Sequence, residues 1–223
     1  MGAIYLVRHG QAPAHAYGVG TATGDAPGLT DLGFEQARRS GVLLAGMVPA
    51  FDATISGALP RQRATLQGVM AAFDPRPEHV VDADWDEYSV SDIVAGSVDA
   101  ATYADRAAYQ RLVDTALSDW IDGTTTGDES YAEYAARTTA AAQRAADLAG
   151  SGANVLVVSS AGTITQLLAQ LWQVPPQGWP TLSRAFVNAS VTKVISGKRG
   201  LSVVSVNEHA HLARRGEGMM TYR

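Results

Sequence analysis

Two short apolar runs constrain the fold of this chain more than any other feature. Residues 3–7 (AIYLV) and 154–159 (NVLVVS) are rich in β-branched residues and are too short for buried helices, which predicts two buried strands. Ala-rich segments with helical spacing lie between the two runs. Alternation of strands and helices is typical of a helix-covered sheet. We therefore predict an open α/β sheet.

A guanidinium, an imidazole and a glycine follow the first of these strands directly. Ligands of open α/β sheets bind beyond the carboxyl ends of the strands, so Arg8 and His9 lie where chemistry is expected. An Arg fork matches the oxygen pair of a phosphate or carboxylate, and His9 can act as nucleophile or base. Gly10 lets the backbone turn and approach a ligand closely. The alternative is a strand that ends in two solvated polar residues.

Arginines also follow a second short strand, at residues 53–56. Pro60 can begin a helix there, and Arg61 and Arg63 fall in its first turn. Taken alone, the pair is typical of an exposed helix face. Together with Arg8, it favours an anion site at the ends of the strands.

An acidic cluster follows a third predicted strand at residues 80–81. Asp82, Asp84, Asp86 and Glu87 place four carboxylates within six residues. Such a cluster is tolerated if it is solvated, if it binds a cation, or if one member is protonated. The sequence leaves these three interpretations open.

The remaining segments have weaker signals. We predict helices at 31–46, 99–121, 128–149 and 163–171, a loop at 12–28, a connector at 174–182, a hairpin of strands at 191–195 and 201–206, and a polar, irregular tail at 207–223. The helices at 99–121 and 128–149 predict a cap or side layer on the sheet. Gly18, Gly20 and Gly24 do not have the spacing of a dinucleotide-binding fingerprint.

Composition limits the class of protein. A chain of 223 residues with 46% apolar and 17% charged residues is typical of one globular domain. The net charge of −5 provides no basic field for nucleic acid or an anionic membrane. The absence of cysteine excludes disulfides and thiolate catalysis. With no signal-peptide pattern and no run near the ~18 apolar residues of a membrane span, we expect a soluble, cytoplasmic protein.

The motifs along the chain together resemble one family. They are Arg8-His9-Gly10 after a strand, Leu29-Thr30 with Gly33 and Gln36-Ala37, Ser56 with Arg61 and Thr65, Glu87 after a Trp, Ser159-x-x-Gly162, Asn188-Ala189-Ser190, and His211-Leu212. In this order they resemble the histidine phosphatase superfamily, also called phosphoglycerate mutase-like. The resemblance implies a three-layer α/β/α sandwich with a mostly parallel central sheet. It also implies a single domain, 1–223, with a helical insertion at about 88–150.

The resemblance further implies a reaction through a phosphohistidine. His9 would attack a phosphoryl group, and Arg8 and Arg61 would bind its oxygens. Glu87 would protonate the departing oxygen and later activate water, with Asp86 as the substitute if the match is one residue off. The implied phosphate- and substrate-binding set is Arg8, Gly10, Gln11, Arg61, Ser160 and Ala161. No metal or cofactor is expected, because the arginines supply the positive charge.

One position departs from the family. A second histidine is usual in a Ser-His-Gly-Gly sequence, and this chain has Ser160 at that place. A hydroxyl donates one hydrogen bond but carries no charge, and loss of one preorganised donor costs about 2.7–4 kcal/mol. We therefore expect a weakened catalyst, and we expect Ser160→His to raise activity. His209 and His211 are candidates to replace the missing imidazole.

Two rival sites fit the sequence poorly. A serine hydrolase elbow needs Gly on both flanks of the nucleophile, but Val158 precedes Ser159-Ser160, and no acid lies between Ser160 and Asn207. His209 and His211 could form half of a metal site, but no further ligand is evident, so we prefer ordinary packing.

The expected function is therefore hydrolysis of a small phosphorylated metabolite. The rival is a catalytically weak or inactive phosphate-binding pseudoenzyme that acts as a regulatory module, and a mutase is less favoured. The sequence does not name the metabolite. No nucleic-acid or membrane partner is expected, and a homodimer is left open.

Overall fold

A mostly parallel sheet forms the centre of the molecule. The computed structural model describes residues 1–17, 28–94, 99–150, 152–213 and 218–222. Its strands are β1 (Gly2–Arg8), β2 (Ala53–Ser56), β3 (His79–Val81), β4 (Asn154–Ser159), β5 (Val191–Gly197) and β6 (Gly200–Glu208). Their order is β3-β2-β4-β1-β5-β6, and only β5 runs against its neighbours. The predicted α/β sheet and its edge hairpin are confirmed.

Helices cover this sheet and extend beyond it. They are α1 (Asp31–Ala45), α2 (Pro60–Met70), α3 (Val90–Ile93), α4 (Ala100–Ala104), α5 (Arg106–Ile121), α6 (Tyr131–Ala149), α7 (Ala161–Leu171) and α8 (Trp179–Arg184). Thr30 caps α1 by accepting a hydrogen bond from the Gly33 amide, and Pro60 begins α2 as predicted. Ser130 and Glu133 form a capping box that sets the start of α6.

Two apolar layers lie on the two faces of the sheet because strand side chains alternate in direction. Ile4 and Leu6 pack in one cluster with residues of α6 and α7. Tyr5 and Val7 pack in the other with residues of α1 and α2. Each fully buried side chain of this size contributes about 1.5–3 kcal/mol. The three-layer α/β/α arrangement follows from this alternation.

A third apolar cluster forms the side layer. Tyr88, Trp120, Tyr134 and Trp179 pack against each other, with the Tyr88 and Trp120 ring centroids 5.5 Å apart. The indole of Trp179 donates to the Gly162 carbonyl at 2.9 Å. This contact fixes the side layer to the start of α7, at the end of β4.

Several predicted boundaries were wrong, and the helix predicted at 128–149 begins three residues later, at Tyr131. The segment 99–121 is two helices because the Asp105 carboxylate accepts from the Ala107 and Ala108 amides and begins α5. The helix predicted at 163–171 begins two residues earlier. The connector at 174–182 contains most of α8, whose Trp179 is fully buried. Two of these differences depend on a side-chain cap and on the burial of an aromatic residue, which are harder to predict from sequence than hydrophobic periodicity is.

Part of the predicted 12–28 loop, including Gly18, Gly20 and Gly24, lies outside the described residues. Within the part of the chain that the structure describes, no helix combines the length and the apolar character that crossing a membrane requires.

The close packing of α1 on α2 gives a stability prediction. A Cβ on Gly41 would lie 2.4 Å from the Val69 carbonyl oxygen, so Gly41→Ala must push the two helices apart. We expect a loss of about 1–3 kcal/mol in the free energy of unfolding, measured by urea denaturation. Gly46→Ala is the control because its Cβ would have no neighbour nearer than 3.3 Å. Equal losses in the two variants would contradict this account.

Candidate active site

Arg8 and His9 lie at the carboxyl end of β1, in the middle of the sheet. The backbone is held from both sides: the His9 amide donates to the Ser159 carbonyl at 2.8 Å, and the Arg8 amide donates to the Ser190 carbonyl at 3.1 Å. A Cβ at Gly10 would lie 2.5 Å from the Gly33 carbonyl oxygen, so a glycine is required where this loop meets α1. The sequence therefore places both polar side chains at a fixed point.

The His9 ring is oriented by hydrogen bonds at both nitrogens. Its Nδ1 lies 2.7 Å from the Gly10 carbonyl oxygen. A carbonyl can only accept, so Nδ1 carries the hydrogen in this bond. The Arg61 Nε–H donates to Nε2 at 3.2 Å, so the Nε2 lone pair is directed toward the guanidinium. This is the tautomer that a nucleophilic Nε2 needs.

The two guanidinium groups come from separate elements. Arg61, on the first turn of α2, also donates from Nη1 to the Ala16 carbonyl at 2.9 Å, and Arg8 donates from Nη1 to the Phe186 carbonyl. Both side chains are buried and line the same cavity as His9. Arg63 is exposed instead, because residues two apart point to different sides of a helix.

Glu87 reaches the same cavity from the loop after β3. Its Oε2 accepts from the Gly162 amide at 2.9 Å, and its Oε1 accepts from the Tyr134 hydroxyl at 3.1 Å. Arg137 braces the backbone of this loop by donating from Nη1 to the carbonyls of Asp84 and Asp86, at 3.0 and 2.8 Å. The carboxylate is thus held by groups from α6 and α7.

The other acidic residues of the cluster have partners of their own. Asp82 and Asp84 form ion pairs with Arg144, at 2.8 and 2.6 Å. Asp86 accepts from the Ala58 amide at 2.7 Å, and burial raises the pKa of its carboxyl. Asp86 is not among the residues that line the cavity, whereas Glu87 is. Of the two candidates for the acid role, the structure brings only Glu87 into the cavity with His9.

Ser160 lies beside the cavity rather than on its surface. It precedes α7, is fully buried, and accepts a hydrogen bond at Oγ from Gln62 Nε2 at 3.1 Å. Its neighbours Ala161 and Gly162 line the cavity, but Ser160 does not. Gln62 also donates to the Trp85 carbonyl at 3.1 Å. The space next to Ser160 is therefore filled by the Gln62 amide.

The C-terminal histidines are not brought to His9. His211 Nε2 lies 3.0 Å from Ser40 Oγ on α1, and burial lowers the pKa of His211 to about 4. His209 Nδ1 contacts the Asn207 carbonyl. Neither residue lines the cavity, and His211 is neutral near pH 7. The structure gives no support for either as a replacement for a missing imidazole.

Asn188, from the Asn188-Ala189-Ser190 motif, lies at the site. It donates from Nδ2 to the His9 carbonyl at 3.0 Å, and its Oδ1 accepts from the Thr221 hydroxyl at 3.0 Å. Tyr134 and Gln62 had no sequence signal for a role at the site, because each acts through a contact distant in sequence. The predicted Gln11 lines the cavity and accepts from the Thr30 hydroxyl at 2.9 Å.

These groups surround a cavity of about 1080 Å³. Its surface combines two guanidinium groups, an imidazole with an accepting Nε2, and a carboxylate held by an amide and a phenol. Among the described residues, no group of three or more His, Asp or Glu side chains is placed to hold a metal ion. Such an arrangement can bind an oxyanion, form a bond between its central atom and His9 Nε2, and transfer a proton through the carboxylate.

Comparison with solved structures gives the same fold. A phosphoserine phosphatase from Entamoeba histolytica crystallised with phosphoserine is 18% identical, with a TM-score of 0.70 over 95% of this chain and 100% of that one. A mycobacterial glucosyl-3-phosphoglycerate phosphatase is 22% identical, with a TM-score of 0.67 over 94% and 100% of the two chains.

Curated relatives match a shorter stretch. A 2,3-bisphosphoglycerate-dependent phosphoglycerate mutase of Rhizobium etli is 40% identical over 70 residues, which is 31% of this chain and 33% of that protein. The matched stretch is thus about a third of the length of the curated relative. A family match covers far more of the chain, residues 4–209. The chain belongs to the histidine phosphatase superfamily (branch 1).

Proposed function

We propose that this protein is a phosphomonoesterase that hydrolyses a small phosphorylated metabolite through a phosphohistidine on His9. The observation that carries the proposal is the hydrogen-bonding of the His9 ring. Nδ1–H donates to the Gly10 carbonyl, which leaves the Nε2 lone pair beside Arg61. A nucleophile, two cations and a carboxylate share one cavity, which is the set that phosphoryl transfer requires.

The first half-reaction forms the P–N bond. His9 Nε2 attacks phosphorus as the ester P–O bond breaks, and protonated Glu87 gives its proton to the departing oxygen. Arg8 and Arg61 hold the non-bridging oxygens, whose charge must be stabilised in the transition state. The alcohol leaves, and the phosphoryl group stays on His9.

The second half-reaction returns the enzyme to its starting state. The Glu87 carboxylate takes a proton from water as the water oxygen attacks phosphorus, and the P–N bond breaks. Inorganic phosphate leaves, His9 Nε2 regains its lone pair, and Glu87 is again protonated. The hydrogen bonds from the Gly162 amide and the Tyr134 hydroxyl keep the carboxyl group in position through both steps.

The alternatives have less support. A regulatory module that only binds phosphate does not need a braced carboxylate, yet Glu87 is held by groups from two helices. The mutase relatives match only about a third of their own length. Hydrolysis therefore remains the function that the site supports best.

The nucleophile can be tested directly. With p-nitrophenyl phosphate, we expect His9→Ala to lower kcat/KM at least ~10³-fold, because the covalent route is lost. Quenching the unmodified protein with SDS at alkaline pH during turnover of a ³²P-labelled ester should trap an alkali-stable, acid-labile phosphoprotein that His9→Ala does not form. His79→Ala is the control, since His79 lies on β3 and does not line the cavity. A His9→Ala variant that keeps full activity would overturn the proposal.

A second prediction concerns Ser160, which we propose stands at the family's second-histidine position. Because Gln62 fills the space beside it, Ser160→His alone should not raise activity, in contrast to the expectation from sequence. Ser160→His with Gln62→Ala should gain about tenfold in kcat/KM, a fraction of the 10²–10³ that one preorganised donor contributes.

The Gln62→Ala change should be tolerated in this experiment. The change removes two contacts of Gln62, one from the Leu59 amide to its Oε1 and one from its Nε2 to the Trp85 carbonyl. The Leu59 amide also donates to Asp86, and the Trp85 carbonyl also accepts from Ser159, so both groups keep a partner. Gln62→Ala alone is the control for activity and melting temperature. A folded double variant with no gain, or a single Ser160→His variant that gains as much, would contradict this account.

A further inference from the structure

The cavity is larger than a small phosphate ester requires. Its volume of about 1080 Å³ is slightly above the ~300–1000 Å³ typical of pockets that bury drug-sized ligands. A three-carbon ester fills only part of such a space. The other residues that line the cavity therefore determine which group can be attached to the phosphate.

Helix α5 gives the cavity two kinds of surface. Tyr109, Val113 and Leu117 are spaced by four residues and form an apolar stripe. Gln110 and Asp114 follow one position later and form a polar stripe beside it, and both stripes line the cavity. We call these five residues the α5 wall. An apolar stripe next to hydrogen-bonding groups suits a sugar, which has C–H faces and hydroxyl edges.

The one charged residue of this wall, Asp114, is paired with a cation from a neighbouring helix. Arg184, from α8, lies with Nη2 2.6 Å from Asp114 Oδ1, and Gln110 donates to the same oxygen at 2.7 Å. Of the described residues that line the cavity, Arg184 is the one cation other than Arg8 and Arg61. Because Asp114 neutralises Arg184, this ion pair offers no net positive charge to a second anionic group of a substrate.

We propose that the cavity takes phosphorylated sugars whose remaining groups are uncharged, and that Asp114 disfavours esters with a second anion by occupying Arg184. This inference rests on the proposed phosphatase function and adds the substrate class. The Asp114 carboxylate accepts hydrogen bonds from sugar hydroxyls, and the Gln110 amide donates to them or accepts from them. Tyr109 and Val113 contact the carbon skeleton of the sugar.

α-D-Glucose 1-phosphate and α-D-glucuronate 1-phosphate provide a matched test, because they share the same ring and differ only in the carboxylate at C6. For the unmodified protein we expect a higher kcat/KM with glucose 1-phosphate. Asp114→Asn frees Arg184, so the ratio of kcat/KM for glucuronate 1-phosphate to kcat/KM for glucose 1-phosphate should rise about fivefold, which corresponds to the ~1 kcal/mol upper range of an exposed ion pair. Asp147→Asn is the control, since it removes the same charge from an exposed Gln143–Asp147 pair on α6.

The outcomes separate this inference from the proposed function. If p-nitrophenyl phosphate is hydrolysed in a His9-dependent way but the unmodified protein prefers glucuronate 1-phosphate, the substrate class is wrong and the phosphatase stands. The same holds if Asp114→Asn and Asp147→Asn shift the ratio of kcat/KM values equally. If no ester is hydrolysed, p-nitrophenyl phosphate included, both proposals fail. The preference of the unmodified protein decides the matter even if Asp114→Asn does not fold.

Discussion

The hydrogen bond between His9 Nδ1 and the Gly10 carbonyl is the interaction on which the rest of the site depends. It places the ring hydrogen on Nδ1 and leaves the Nε2 lone pair facing Arg61. The carbonyl itself is held because Gly10 donates from its amide to Thr65 on α2 at 2.9 Å. The short backbone segment that follows β1, and that contacts α2 through Thr65, thus determines which nitrogen of His9 can react.

Burial of the two arginines carries an energetic cost. A buried guanidinium loses its hydration and must be compensated by hydrogen bonds. Arg8 and Arg61 obtain these from the carbonyls of Phe186 and Ala16, which are acceptors without a full negative charge. These contacts help to hold the two guanidinium groups at the cavity that His9 also lines. Arg184, which also lines the cavity, forms an ion pair with the Asp114 carboxylate.

Much of the fold could be predicted from the sequence, because buried strands and strand-end ligands follow from local patterns. The runs at 3–7 and 154–159 indicated the central pair of strands, and the polar residues after β1 and β2 indicated where a ligand binds. Gln62 and Tyr134 could not be found in this way, since their roles arise from contacts with Ser160 and Glu87 far along the chain. Helix α8 was missed because burial of its Trp179 depends on the side layer. Periodicity predicts elements, whereas the polar contacts that connect elements are visible only in three dimensions.

The central claim is that Arg8 and Arg61 converge with His9 on one oxyanion. A crystal structure of the protein soaked with orthovanadate, which adopts the five-coordinate geometry of phosphoryl transfer, tests it most directly. We predict vanadium bonded to His9 Nε2, equatorial oxygens contacted by Arg8 and Arg61, and an apical oxygen within hydrogen-bond distance of Glu87. Vanadate bound elsewhere, or bound without contact to Arg61, would contradict the account.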